Sequence, residues 1–289
     1  MKLFDLYRED YQSLTAYQAP TAECKGADVE ILKTIFSCID LTSLNVTDSG
    51  KSIEDFCKKV LNFREHFGDM PNVAAVCVYP VFASIAAQIL SGVDVQRAVV
   101  SACFPTSQTF SETKMDETQR AVTFGATEVD IVISIGEFLE SKYEFVASEI
   151  RAIKSITGSA KLKVILETGA LVSAENIWKA SLLAMDAGAD YIKTSTGKHP
   201  VSATPEAAWV MLYAIKAYEM KTGRKVGFKP AGGISTVADA LLYAGMVQHV
   251  LGNERLNNHL FRIGASRLAN NLLTEIERLK GNNKHVNYF

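Results

Sequence analysis

The chain has 289 residues, 48% hydrophobic and 21% charged, with a formal net charge of −2. That composition can bury a sizeable core and carries no general nucleic-acid or membrane-surface signature, so neither kind of partner is expected. Five cysteines (Cys24, Cys38, Cys57, Cys77 and Cys103) without a CxxC pair argue against a disulfide or zinc scaffold, and no run of 18 apolar residues occurs, so the expectation is a cytoplasmic protein with reduced thiols.

Residues 1–26 are mixed, tyrosine-rich and weakly periodic, which predicts an extension packed on the body or on a partner chain. A short helix near residues 27–33 is expected to complete an N-terminal helical extension, 1–33, and lead into the first buried strand. Apolar runs then recur near 35–40, 73–79, 97–103, 128–134, 162–167, 190–195, 225–230 and 259–263, with helical pattern between most of them. Segment 205–220 shows the helical type: Thr204 can N-cap, Pro205 suits the first position, and Ala207, Val210, Met211 and Ile215 fall near helical period. Ser173 is expected to open another helix that Gly188 closes, and Gly125 to close the one before it.

Strand–helix alternation predicts an α/β protein with a parallel sheet buried on both faces. Eight such units fit a (β/α)₈ TIM barrel. A doubly wound open sheet is the alternative, but no GxGxxG follows the first strand. No linker interrupts residues 34–280, so one domain is expected over 1–289. Its last segment, 281–289, reads as a flexible tail after a terminal helix.

Two helix-to-strand junctions look alike. Gly125-Ala126-Thr127-Glu128-Val129-Asp130 and Gly188-Ala189-Asp190-Tyr191-Ile192-Lys193 each place a charged residue five positions after the closing glycine. They belong to the fourth and sixth strands, and alternate strands fill one interior layer of a barrel. Asp130 and Lys193 are therefore expected to point inward at similar height. Alternation puts Val129, Ile131 and Ile133 toward the helices, with Glu128, Asp130 and Val132 inside. Likewise Lys163, Ile165 and Glu167 share an inner face, as do Gly227, Lys229 and Ala231. Interior candidates thus include Asp40, Asp130, Lys163, Glu167, Lys193 and Lys229. Lys163 and Glu167 suit a self-neutralising ion network as well as they suit a site. Lys193 and Lys229 stand at C-terminal strand ends before glycine-rich loops, where barrel active sites lie.

A free lysine is protonated at neutral pH and cannot attack a carbonyl. A second ammonium about 6 Å away, at an effective dielectric near 20, disfavours its charge by roughly 2–3 kcal/mol. Partial burial adds to this, so the pair points to Schiff-base chemistry, with Asp130 as proton shuttle. The loops after the seventh and eighth strands, Pro230-Ala231-Gly232-Gly233-Ile234-Ser235 and Phe261-Arg262-Ile263-Gly264-Ala265-Ser266-Arg267, suit phosphate, with Ser266 beginning a helix. The five histidines show neither HxH nor HExxH spacing, so no metal is expected. Cys77 and Cys103 have no adjacent histidine and are read as structural.

At these residues the sequence resembles the deoxyribose-phosphate aldolase family of class I, Schiff-base aldolases. The matching pieces run in family order over roughly residues 34–280: Asp40-Leu41-Thr42-Ser43-Leu44, Ala74-Ala75-Val76-Cys77-Val78-Tyr79-Pro80, Glu128-Val129-Asp130 and Leu162-Lys163-Val164-Ile165-Leu166-Glu167-Thr168-Gly169. Tyr191-Ile192-Lys193-Thr194-Ser195-Thr196-Gly197-Lys198, Val226-Gly227-Phe228-Lys229-Pro230-Ala231-Gly232-Gly233 and Arg262-Ile263-Gly264-Ala265-Ser266 complete the set.

The resemblance implies reversible cleavage of 2-deoxy-D-ribose 5-phosphate to acetaldehyde and D-glyceraldehyde 3-phosphate, in deoxynucleoside catabolism. It implies Lys193 as the Schiff-base lysine, Lys229 as the neighbour that lowers its pKa, and Asp130 as the relay carboxylate. Thr196, Lys198, Gly232, Gly233 and Ser266 belong to the substrate and phosphate end. No cofactor is implied, and a homo-oligomer, a dimer, is expected. Ser101–Gln108 departs from the better-known bacterial loop, and Arg267 stands where a second serine is familiar. Some members end in a tyrosine that reaches the active site; here Tyr288 is penultimate. Two rivals stay open: another Schiff-base aldolase on a different phosphorylated sugar, and a non-catalytic phosphate-binding barrel.

Overall fold

The computed structural model describes residues 2–14 and 27–289. Eight strands, Ile39–Thr42 (β1), Ala75–Val78 (β2), Gln96–Ser101 (β3), Glu128–Val132 (β4), Lys161–Ile165 (β5), Tyr191–Lys193 (β6), Gly227–Lys229 (β7) and Ile263–Ala265 (β8), form one sheet. Each pairs in parallel with its sequence neighbour from β1 to β7, and β1 also pairs with β8. Parallel bridges Phe228–Phe261 and Ala231–Gly264 join β7 to β8 and close the ring. Helices stand between successive strands, so the architecture is the expected (β/α)₈ TIM barrel. The last strand lies later than its apolar run: residues 257–261 turn through Leu260 N–H and Phe261 N–H to the Asn257 carbonyl before pairing begins.

Alternation divides the core in two. Val129, Ile131, Ile133, Leu162, Val164, Leu166, Ile192 and Phe228 are buried in the large apolar layer between strands and helices. Inside the ring, Ala75, Cys77, Ala98 and Val100 make a small apolar cluster with Leu44. These come from β2 and β3, leaving the β4–β8 side of the interior to charged residues.

Local chemistry sets the helices that carry the loops. Ser173 and Thr204 cap Ala174–Asp186 and Pro205–Thr222 by accepting from Asn176 N–H (3.1 Å) and Ala207 N–H (3.2 Å). Gly125 and Gly188 follow helix ends at positive φ, as expected. The final helix, Leu268–Leu279, starts two residues after Ser266.

The N-terminal helices Lys2–Leu6 and Arg8–Leu14 lie on the barrel's own flank. Tyr7 stacks on Tyr218, and Phe4 meets Tyr143 edge-on. Val29–Ser37 is the expected lead-in helix, longer than its apolar pattern and capped by Asp28. Residues 15–26 lie outside the described residues, so their part of the extension is not placed.

The tail corrects its expectation. Segment 281–289 is not loose: it runs back along Leu268–Leu279, with Val286 buried. Asn270 Oδ1 accepts from Tyr288 N–H at 2.9 Å and Phe289 N–H at 3.0 Å. Phe289 stacks on Phe63 at 5.3 Å, and Tyr288 Oη donates to the Lys59 carbonyl at 2.9 Å. Polar composition suggested a free end, but two aromatic rings find an apolar shelf.

Candidate active site

The inward residues of β1, β4, β5, β6 and β7 form one connected ion network. Lys193 Nζ donates to Asp130 Oδ2 at 2.8 Å, and Lys229 Nζ donates to the same oxygen at 2.7 Å. Lys163 Nζ donates to Asp130 Oδ1 at 3.0 Å and lies 2.5 Å from Glu128 Oε2. Lys229 also donates to Asp40. Asp40 Oδ1 accepts from Arg262 Nη1 at 2.6 Å, and Arg262 Nη2 reaches Glu128 Oε1 at 2.8 Å. All seven are buried. The equal height expected of Asp130 and Lys193 is therefore met by a direct bond.

Strand register explains the convergence. Asp130 pairs with Lys163, Ile165 with Lys193, and Lys193 with Lys229, so Lys193 and Lys229 are direct neighbours across β6 and β7. Behind them, Thr194 Oγ1 and Ser195 Oγ donate to the Ala231 carbonyl at 3.1 and 2.5 Å. These hydroxyls fix the loop after Lys193 against the loop after Lys229.

Charge balance singles out one amine. Four cations (Lys163, Lys193, Lys229 and Arg262) face three carboxylates (Asp40, Glu128 and Asp130) in this network. An unmatched buried charge is expensive, so the network favours losing one proton. Burial pulls the Lys193 pKa below its ordinary value; Asp130 opposes the shift, and Lys229 adds to it. Burial also works against the charge on Lys229, but Asp130 and Asp40 hold its pKa above the ordinary value. Lys163 is likewise raised by Asp130, Glu128 and Asp40 against its burial. Asp130 is held well below the carboxylate range by Lys163, Lys193 and Lys229, despite burial. This refines the expected cause: removal from water outranks the neighbouring ammonium in depressing Lys193.

Lys193 lines a cavity of about 270 Å³ over the C-terminal ends of β6, β7, β8 and β1. Thr196, Lys198, Gly232, Gly233 and Ser266 line it too, so all the expected substrate-end residues meet there. Lys198 Nζ donates across the mouth to the Leu44 carbonyl at 2.7 Å. Gly232 has φ +85°, and a Cβ there would come within 2.6 Å of Ser202 Oγ, which closes the position to side chains. A larger cavity, about 740 Å³, lies over β3–β6 and shares Thr196 and Lys198, but Lys193 lines only the smaller of the two.

Two residues fall elsewhere than expected. Glu167 lies beyond the end of β5 at φ +54°, where it accepts from Thr196 Oγ1 at 2.5 Å and braces the β6 loop. Arg262 was grouped with the phosphate loop, yet it sits just before β8, at the opposite end of the barrel interior. There its guanidinium and Lys161 lie against the Tyr191 ring, 5.7 Å from the centroid in each case. Gly227 packs flat against that ring, where a Cβ would come within 2.3 Å. The sequence signal was present but unused: Arg262 precedes an apolar strand just as Glu128 opens another. Among the described residues no group of three His, Cys, Asp or Glu is placed to hold a metal ion. Tyr288 is part of the docked tail, against Phe63 and Phe67.

Comparison with known proteins agrees with this geometry. Residues 34–265 match the profile of the DeoC/LacD family aldolases. The chain is 43% identical over 258 residues to deoxyribose-phosphate aldolase of Bos taurus, covering 86% of this chain and 80% of that protein. The human deoxyribose-phosphate aldolase shows the same identity and coverage. The tetrameric deoxyribose phosphate aldolase from Aeropyrum pernix shares the fold, with TM-score 0.67 at 22% identity over 93% of this chain and 97% of that one. With the family profile matching residues 34–265 and relatives 43% identical over 86% of the chain, the chain belongs to the DeoC/LacD family of aldolases.

Proposed function

We propose that this protein is a class I deoxyribose-phosphate aldolase, reversibly cleaving 2-deoxy-D-ribose 5-phosphate into acetaldehyde and D-glyceraldehyde 3-phosphate. The observation that carries the reading is Lys193: a buried amine of lowered pKa, at a cavity wall and hydrogen-bonded to Asp130.

The neutral Lys193 amine attacks C1 of the open-chain sugar, giving a carbinolamine that loses water to form an iminium ion. The C2–C3 bond then breaks: its electron pair moves into the iminium as an enamine, and the C3 hydroxyl gives up its proton as D-glyceraldehyde 3-phosphate forms. The enamine takes a proton at C2, and water releases acetaldehyde and the free lysine. Asp130 lies against Lys193 Nζ and serves as the proton relay. Lys229, held charged by Asp40 and Asp130, keeps the neighbouring amine neutral. Thr196, Lys198, Gly232, Gly233 and Ser266 hold the phosphate end of the sugar, where backbone N–H groups and a cation suit an anion. No step calls for a metal, and a chelator is expected to leave the rate unchanged.

We place the enzyme in the cytoplasm as a homodimer of single-domain subunits. No helix among the described residues is long and apolar enough to cross a membrane, and sedimentation of the purified chain reads the assembly directly.

The test is covalent trapping. Incubation with acetaldehyde and borohydride, followed by peptide mass spectrometry, is expected to place a reduced two-carbon adduct on Lys193. An unmodified Lys193 would sink the mechanism. Trapping of a different donor carbonyl in preference to acetaldehyde would favour an aldolase of another sugar.

A further inference from the structure

We infer that Arg267 is a specificity residue for the phosphate end of the substrate, giving this pocket a second side-chain cation beside Lys198. The inference rests on the aldolase reading above and deepens it.

Three basic side chains line the 270 Å³ cavity: Lys193, Lys198 and Arg267. Two are already engaged. Lys193 donates to Asp130, deep in the interior, and Lys198 donates to the Leu44 carbonyl at 2.7 Å. Arg267 is exposed at the rim, and among the described residues its guanidinium meets no carboxylate and makes no hydrogen bond. Its backbone carbonyl accepts from Asn271 N–H, which ties the residue to the final helix and leaves the head free. It borders the cavity together with Ser266, Gly232 and Gly233.

A sugar attached through C1 at Lys193 extends its C5 phosphate toward that rim. A guanidinium presents paired donors that match two phosphate oxygens, which neither a serine hydroxyl nor a lysine does. Because Arg267 is solvent-exposed, it also acts at a distance: it raises the local potential at the mouth and speeds encounter with a dianion, an effect that salt screens. The residue therefore separates phosphorylated from unphosphorylated 2-deoxyribose, while the imine chemistry stays with the interior network.

The test compares kcat/KM for 2-deoxyribose 5-phosphate and for 2-deoxyribose in the wild type, Arg267→Met and Arg267→Lys. Arg267→Met is expected to lower the ratio of the two by about tenfold to a hundredfold, mainly through KM, and to weaken inhibition by inorganic phosphate. Its kcat/KM for the phosphorylated sugar should also lose part of its dependence on ionic strength. Arg267→Lys should recover part of the ratio. An unchanged ratio, or an equal fall on both sugars, would overturn the assignment. Acetaldehyde trapping at Lys193 separates the two levels of failure: trapping without any phosphate preference defeats only Arg267, whereas absence of trapping in the wild type defeats the aldolase reading itself.

Discussion

Lys193 and Lys229 donate to one and the same oxygen, Asp130 Oδ2, at 2.8 and 2.7 Å. Their nitrogens are thus no farther apart than those two bonds end to end, closer than the spacing assumed from sequence. The charge on Lys229 lowers the pKa of Lys193, second to burial among the lowering effects. Lys229→Met removes it, so the Lys193 pKa rises and the neutral fraction at a given pH falls. The acid limb of the kcat/KM profile is expected to move to higher pH, with activity at pH 7 reduced at least about tenfold. A limb that stays in place would show that the ammonium is not the coupling charge.

Asp130→Asn keeps the shape but removes the acceptor of mobile protons and the partner of three lysines. Loss of general acid–base assistance predicts a fall in kcat of about 10²- to 10⁴-fold. Breaking the buried pairs predicts a stability loss of about 3–5 kcal/mol. Steady-state kinetics and urea unfolding read the two effects separately. A variant with near-normal kcat would move the relay to another group.

Asp40 and Asp130 set the acid limit of the fold. Both are held below the ordinary carboxylate range, since their lysine and arginine neighbours outweigh burial. A carboxylate whose native pKa lies below its unfolded value contributes stability that is present above the unfolded pKa, about 3.9, and is lost as pH falls from there toward the native one. The urea midpoint is expected to drop steeply below about pH 4. In Asp40→Asn that drop should be shallower, from a lower starting stability.

Removing residues 286–289 uncovers the Phe63 face that Phe289 and Tyr288 occupy. The lost burial predicts destabilisation of about 2–4 kcal/mol, read as a lower urea midpoint in equilibrium unfolding. An unchanged midpoint would mean that the docked tail adds nothing to the fold in solution.

Much of this was legible in the chain. Period-two alternation assigned Asp130, Lys163, Lys193 and Lys229 to the interior because a strand's faces follow from parity alone. Two matched glycine-to-charge intervals then fixed the level of Asp130 and Lys193. The β8 region resisted, since the run 259–263 was read as the strand while Leu260 and Phe261 still belong to a turn closed on the Asn257 carbonyl. Arg262 was misplaced for the same reason: β8 starts at Ile263 rather than 259, which moves Arg262 from the loop after the strand to the position just before it. Glu167 passed for a strand residue because parity continues on paper, whereas its backbone turns out of the strand at φ +54°. The tail's docking rests on a shelf built by Phe36, Phe63 and Phe67, residues over 200 positions away, which no local pattern reports.

The stacked Tyr191, Arg262 and Lys161 have a kinetic meaning. They fill the barrel interior below the ion network, so the pocket opens toward the C-terminal strand ends, where Gly232 and Ser266 line it. On the aldolase reading, the fragment tethered to Lys193 sits at the buried amine and the phosphate lies by Gly232 and Ser266. Departure is then sequential: the phosphorylated fragment vacates first, the two-carbon fragment follows once hydrolysed, and in the synthetic direction acetaldehyde has to board before its partner. Product inhibition by the phosphorylated aldehyde and by acetaldehyde should accordingly follow different patterns.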